Sequence, residues 1–196
     1  MKKCLILLSL VLLSFTKATN DPIERVGVKG PLKFNGTSFA LSWSEHPKDF
    51  YYIQEYLPQG ENFDHYNQMV TLHVFDKDVS AEDAMKQKVK ELEIRKKTDK
   101  VCNYEVHQNG DETEFMVDFL LSQSDGDTLA VVELNVYHYK KVPLGNNKIG
   151  ILVYAYTKRS YGDAIPDFMQ KLGDDREKML YAMQTNILPE INIKKK

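Results

Sequence analysis

Five histidines (His46, His65, His73, His107 and His138) and Cys102 are the residues with the widest chemical range outside the N-terminal stretch of this 196-residue chain. No two histidines stand at the i, i+4 spacing of a helical metal site, and none neighbours a Cys-x-x-Cys pair, so no metal ligand is assigned. Gly-x-Ser-x-Gly, a Walker loop and a dinucleotide fingerprint are all missing, and Cys102 has no His or Arg beside it in sequence to activate its thiol. No catalytic residue and no cofactor is therefore expected. Asp118 stands apart, because it interrupts Phe115-Met116-Val117-Asp118-Phe119-Leu120-Leu121, a run apolar on both sides that reads as a central strand. A carboxylate buried there must be paired or protonated. Its expected partner is a Lys, an Arg or a backbone amide, and a functional carboxylate is the alternative.

A second constellation rests on parity. Tyr52, Gln54 and Tyr56 alternate along one extended run, Glu133, Asn135, Tyr137 and Tyr139 along another, and Tyr154 and Tyr156 along a third, with Arg159 just beyond it. If the three runs share one face, it combines phenol rings, amides, a carboxylate and a guanidinium. Such a face suits a peptide, glycan, partner protein or small molecule. Tyr52, Gln54, Tyr56, Glu133, Asn135, Tyr137, Tyr154 and Arg159 are accordingly the candidate ligand-binding residues, with Arg159 an anion anchor or an ordinary ion-pair donor.

The elements that must hold these residues follow from period and punctuation. Thr37–Ser44 alternates Phe39, Leu41 and Trp43 with small residues; Phe50–Leu57 ends at Pro58-Gln59-Gly60, and Gln68–Phe75 ends at Asp76-Lys77-Asp78. Ser80 and Asp83 form a capping-box-like start, followed by Ala81, Ala84, Met85, Val89 and Leu92 at helical spacing to about Lys97. Extended runs at Cys102–His107, Thr113–Leu121, Thr128–Tyr139 and Lys148–Thr157 are separated by short Gly- and Asn-bearing turns, which imply antiparallel hairpins. A final amphipathic pattern from Ile165 to Ile187 tolerates Pro166 in its first turn, is bent at Gly173 and is stopped by Pro189. The expected fold class is α+β: an antiparallel sheet of about seven strands and two amphipathic helices in the order β-β-β-α-β-β-β-β-α, with the helices covering one face.

At the N-terminus, Lys2 and Lys3 precede the apolar stretch Cys4–Phe15, and Thr16-Lys17-Ala18 supplies small residues at the cleavage positions, the layout of a secretory signal peptide. The expected organisation is a signal peptide at 1–18 and one domain at 19–196. Removal of that segment takes Lys2, Lys3 and Lys17 and leaves 23 basic against 28 acidic residues, a net charge of -5. Nucleic acid is thus an unsuitable partner, and Lys194-Lys195-Lys196 reads as a solvated tail. Twelve apolar residues are too few to span a bilayer, so no stable membrane anchor is expected after cleavage. With Cys4 lost, Cys102 has no intramolecular partner and reads as a buried packing residue.

The stretch Pro31–Pro58 carries Phe39-x-Leu41, Ser44-x-His46-Pro47 and Tyr51-Tyr52-x-Gln54-Glu55-Tyr56-Leu57-Pro58-x-Gly60-Glu61. In these motifs it resembles a group of small secreted bacterial proteins of unassigned function. The element order is also similar to the Mog1/PsbP-like fold, a resemblance that implies a non-catalytic binder or assembly factor. Together these readings point to an exported, non-enzymatic binding or assembly module of the bacterial envelope, periplasmic or secreted. The alternative is a periplasmic hydrolase drawing on Asp118, Glu133 and a histidine such as His138.

Overall fold

In a computed structural model, the protein is described over residues 21–193; the expected signal peptide and the Lys194–Lys196 tail lie outside these residues. The strands are β1 (Leu32–Phe34), β2 (Thr37–Lys48), β3 (Tyr51–Pro58), β4 (Gln68–Phe75), β5 (Asn103–Gln108), β6 (Glu114–Asp125), β7 (Thr128–Gly145) and β8 (Lys148–Tyr161). Helix α1 (Ala81–Arg95) joins β4 to β5; α2 (Ile165–Gln170) and α3 (Leu172–Thr185) follow β8 through a 3-10 turn. All strands lie in one antiparallel sheet in the order β1-β2-β3-β4-β8-β7-β6-β5. Two four-stranded meanders, β1–β4 and β5–β8, thus meet along a single seam between β4 and β8.

The expected seven strands and two helices are corrected to eight and three. The additional strand, β1, is too short for any periodicity to betray it, and it pairs with β2 across Asn35-Gly36, where φ values of 45° and 78° make a tight hairpin turn. The last helical stretch divides at Lys171, ahead of Gly173, which lies inside the first turn of α3. Ser80 does cap α1, its Oγ accepting from Asp83 N at 2.9 Å. Among the described residues no helix is long and apolar enough to cross a membrane.

Helices cover both faces of the sheet, where one face was expected. On the first, α1 places Ala81, Met85 and Leu92 over Phe115, Val117 and Phe119 of β6 and Tyr139 of β7. On the second, Phe168 of α2 and Met179 and Met183 of α3 pack on Val132, Leu134, Val136, Leu152, Tyr154 and Tyr156. The chain ends complete that second layer: Asn192 N donates to Val26 O at 2.8 Å and Ile193 N to Leu144 O at 3.0 Å. Each fully buried Leu, Val or Met contributes about 1.5–3 kcal/mol. The α3 face carries the larger buried cluster; on the α1 face, Thr71 and His73 of β4 and Val153 and Ala155 of β8 are buried as well.

Candidate functional site

Strand register divides the eight candidate ligand-binding residues into two groups of four. Tyr154 pairs across the sheet with His138 and Leu72, and Leu72 with Gln54, so Tyr52, Gln54, Tyr56 and Tyr154 all point to the α3 face. Tyr137 pairs with Ala155, Glu133 with Arg159 and Asn135 with Thr157, which places Glu133, Asn135, Tyr137 and Arg159 on the α1 face. The shared face expected from parity is not assembled, because equal parity in separate strands says nothing about registration between them.

The α3-face group is used internally. Gln54 is fully buried; its Oε1 accepts from Arg25 N at 2.6 Å and its Nε2 donates to Tyr56 Oη at 2.6 Å, while the Tyr56 hydroxyl donates to Val28 O at 2.7 Å. Together they pin the N-terminal segment to the sheet. Tyr156 donates to Gln68 Oε1 at 2.7 Å, and its ring lies 4.6 Å from Phe34. Only Tyr52 reaches an opening. It stacks on His46 at 4.0 Å and borders a hollow of about 320 Å³ lined also by Arg25, Asp76 and Lys148, the last two forming an ion pair.

Asp118 also lies on the α3 face and is 3% exposed. Arg176 from α3 grips it with both Nε (2.5 Å) and Nη2 (3.0 Å), and His107 Nε2 stands 2.7 Å from Oδ1. Glu105 joins through Arg176 Nη2 at 2.5 Å. Glu105, His107 and Asp118 bring three ligand atoms within 4.8 Å of one another, but the Arg176 guanidinium supplies the positive charge there. The pairing of Asp118 with an arginine is the structural outcome that burial demanded. His138 has its own carboxylate, Glu114 Oε2 at 2.7 Å, and Glu133 lies on the opposite face. Asp118, Glu133 and His138 therefore do not converge.

The α1 face gathers different residues around Tyr137 and Arg159. Glu55, Thr71, Ala155 and Tyr137 run in register across β3, β4, β8 and β7; Ile53, His73, Val153 and Tyr139 form the next row. Arg159 Nη2 bonds Glu133 Oε2 at 2.7 Å, and the guanidinium lies 4.1 Å from the centre of the Tyr66 ring. Tyr66 reaches the face from the loop before β4; it is held by Tyr161, whose hydroxyl donates to Tyr66 O at 2.7 Å. Lys88 of α1 pairs with Glu91 at 3.0 Å and sits 5.3 Å from the Tyr137 ring, closing the other side.

Electrostatics sets Glu55 apart from its neighbours. Burial pushes its carboxyl up to about 7, against the opposing pull of Arg159, and among the described residues it makes no hydrogen bond or ion pair. Burial, helped by Lys88, lowers His73 to about 3, so the imidazole that meets the Tyr51 hydroxyl at 2.8 Å is neutral. Burial also holds the Tyr51, Tyr66 and Tyr137 phenols well above their usual range, and the charge of Glu55 adds to this at Tyr51 and Tyr66. Among the described residues, the Tyr66 and Tyr137 hydroxyls have no hydrogen-bond partner, and neither does the buried Asn135 Nδ2. One carboxylate and two phenols are thus collected beside aromatic surface.

Sequence reasoning found Glu133, Asn135, Tyr137 and Arg159 of this set and missed Tyr51, Glu55, Tyr66, Thr71 and His73. One signal was present: Glu55 is a lone charge between Ile53 and Leu57 on the odd positions of an otherwise apolar-aromatic strand.

A protein-family model of an uncharacterised family matches residues 26–187, from the N-terminal segment that covers the α3 face to just beyond α3. No curated protein and no solved structure matches the chain, and the likeness to the Mog1/PsbP-like fold is not confirmed.

Proposed function

The chain belongs to this uncharacterised family, and on that premise we propose that it is an exported, non-enzymatic binding or assembly module of the bacterial envelope, acting through the polar-aromatic cluster of Glu55, Tyr66, Tyr137 and Arg159 on its α1 face. The observation that carries this reading is the group of polar side chains without a protein partner among the described residues, the Glu55 carboxylate with the Tyr66 and Tyr137 hydroxyls, on the face where Arg159 pairs with Glu133 and Lys88 with Glu91. Polar groups that the fold itself leaves without a partner are available to hydrogen-bond a bound molecule. Export rests on the Lys2-Lys3, Cys4–Phe15 and Thr16-Lys17-Ala18 pattern and places the protein in the periplasm or outside the cell. The ligand is a protein, peptide or small molecule.

The test is a fragment screen by amide chemical-shift perturbation on the protein and on its Tyr66→Phe/Tyr137→Phe variant. Fragments that shift amides of β3, β4 and β8 and lose affinity in the variant support the reading. Fragments that cluster only at the His46–Tyr52 hollow, on the other face, overturn it.

A further inference from the structure

We propose a second binding site, away from the α1 face, in the hollow beside Tyr52: it takes a small aromatic monocarboxylate whose carboxylate is gripped by Arg25. The hollow lies between the N-terminal segment and the β2–β3 and β7–β8 hairpins, and encloses about 320 Å³. That is the lower end of the range of about 300–1,000 Å³ for small-molecule sites, so it accommodates a single-ring ligand.

Arg25 is held in place by the fold itself. Its backbone N donates to the fully buried Gln54 Oε1 at 2.6 Å and its Nε to Ser44 Oγ at 3.3 Å, and Ser44 Oγ in turn donates to Ile23 O at 2.5 Å. Glu24 Oε1 accepts from Val26 N at 2.7 Å and Val28 N at 2.9 Å, which fixes the segment around it. Among the described residues no carboxylate pairs with Arg25, whereas Lys148, the other cation lining the hollow, is paired with Asp76. The Nη groups of Arg25 therefore keep N–H donors that meet no acceptor among the described residues, in a planar fork that fits a carboxylate. Glu24 and Asp76 border the same hollow and repel a second negative charge, so one carboxylate is selected over a phosphate dianion.

The remaining lining decides the body of the ligand. Ile23 borders the hollow and is 61% exposed, an apolar side chain that the fold leaves uncovered, and Leu144 and Ile193 add buried aliphatic surface. Covering Ile23 removes apolar area from water. His46 and Tyr52, which also line the hollow, stack with ring centroids 4.0 Å apart and 7° between their planes, and so give it a flat aromatic border. Aliphatic surface beside a flat aromatic pair suits a ring joined to the carboxylate by a short chain.

The probe is 3-phenylpropionate, with 3-phenylpropanol as its neutral counterpart and phenyl phosphate as the dianion. Each is titrated at pH 8, followed by amide chemical shifts, against the protein and its Arg25→Gln and Ile23→Ser variants, whose folding is checked by melting temperature. Arg25→Gln keeps the backbone bond to Gln54, and Ile23 is exposed, so neither change empties the core. The expected result is that phenylpropionate shifts the amides of Arg25, Tyr52 and Lys148, binds at least about tenfold tighter than the alcohol, and weakens at least about tenfold in Arg25→Gln and by a smaller factor in Ile23→Ser. Equal binding of the alcohol, or a carboxylate indifferent to Arg25→Gln, overturns the grip by Arg25. Tighter binding of phenyl phosphate overturns the choice of a monoanion, and no shift at these amides up to millimolar concentration overturns the site. Neither variant touches the α1 face, so the outcome is separate from the function proposed for that face.

Discussion

Replacing Glu55 by Gln is expected to stabilise the free protein, and to do so in a pH-dependent way. Its carboxyl lies near 4.5 in the unfolded chain and at about 7 in the fold. Below pH 4.5 both states hold the proton and the residue is neutral in the balance. As pH rises from 4.5 to 7 the unfolded chain ionises first, so stability falls with increasing pH and levels off above 7. The shift corresponds to about 3 kcal/mol at the plateau. Gln keeps the shape and removes the charge, so Glu55→Gln matches the wild type near pH 4 and exceeds it by about 3 kcal/mol at pH 8. Urea unfolding at half-unit steps from pH 4 to 8 measures this directly. Other carboxylates titrate in both proteins and cancel in the difference. A difference that stays flat with pH, or a variant less stable at pH 8, would refute the reasoning, since either means that Glu55 is satisfied in the fold.

Arg176→Met strips the guanidinium from buried Asp118 and is expected to cost close to the lower end of the about 3–5 kcal/mol range for a broken buried pair; adding Asp118→Asn recovers part of it, as a double-mutant cycle in urea reads out. At Gly150 a Cβ would stand 2.2 Å from Phe75 O, so Gly150→Ala forces β8 away from β4 and is expected to lower stability by at least about 1–3 kcal/mol in thermal unfolding. At Asp99 burial opposes ionisation, but hydrogen bonds from Ser122, Arg95 and Val101 outweigh it and hold the carboxyl below 3.8; the stability it provides above that value is lost as pH falls through its lowered pKa, so Asp99→Asn flattens the acid limb of the stability curve.

Long elements with strong period were legible. β4 and α1 fall where alternation and the Ser80 cap place them, and the hairpin turns around β6, β7 and β8 announced antiparallel pairing. β1 was not legible, because three residues cannot display a period. The site was half legible for a related reason. Parity within β3 correctly separates Tyr52, Gln54 and Tyr56 from Tyr51, Ile53 and Glu55, but which set joins Tyr137 depends on the registers of β3 with β4, β4 with β8 and β8 with β7. An error of one residue at any of these exchanges the faces. Tyr66 and Lys88 come from a loop and a helix, whose side-chain reach no alternation pattern records.

The seam between β4 and β8 has a consequence for assembly. Every other strand pair joins sequence neighbours through a hairpin, so each meander pairs locally at small cost in chain entropy, whereas β4 meets β8 across α1 and three further strands. Glu55, Thr71 and His73 belong to the first meander, and Glu133, Tyr137 and Arg159 to the second. The site therefore comes into being only when the halves dock. A molecule bound across that seam would act as a rivet on the joint, and is expected to slow separation of the halves under heat or pulling force more than the fraying of either outer edge.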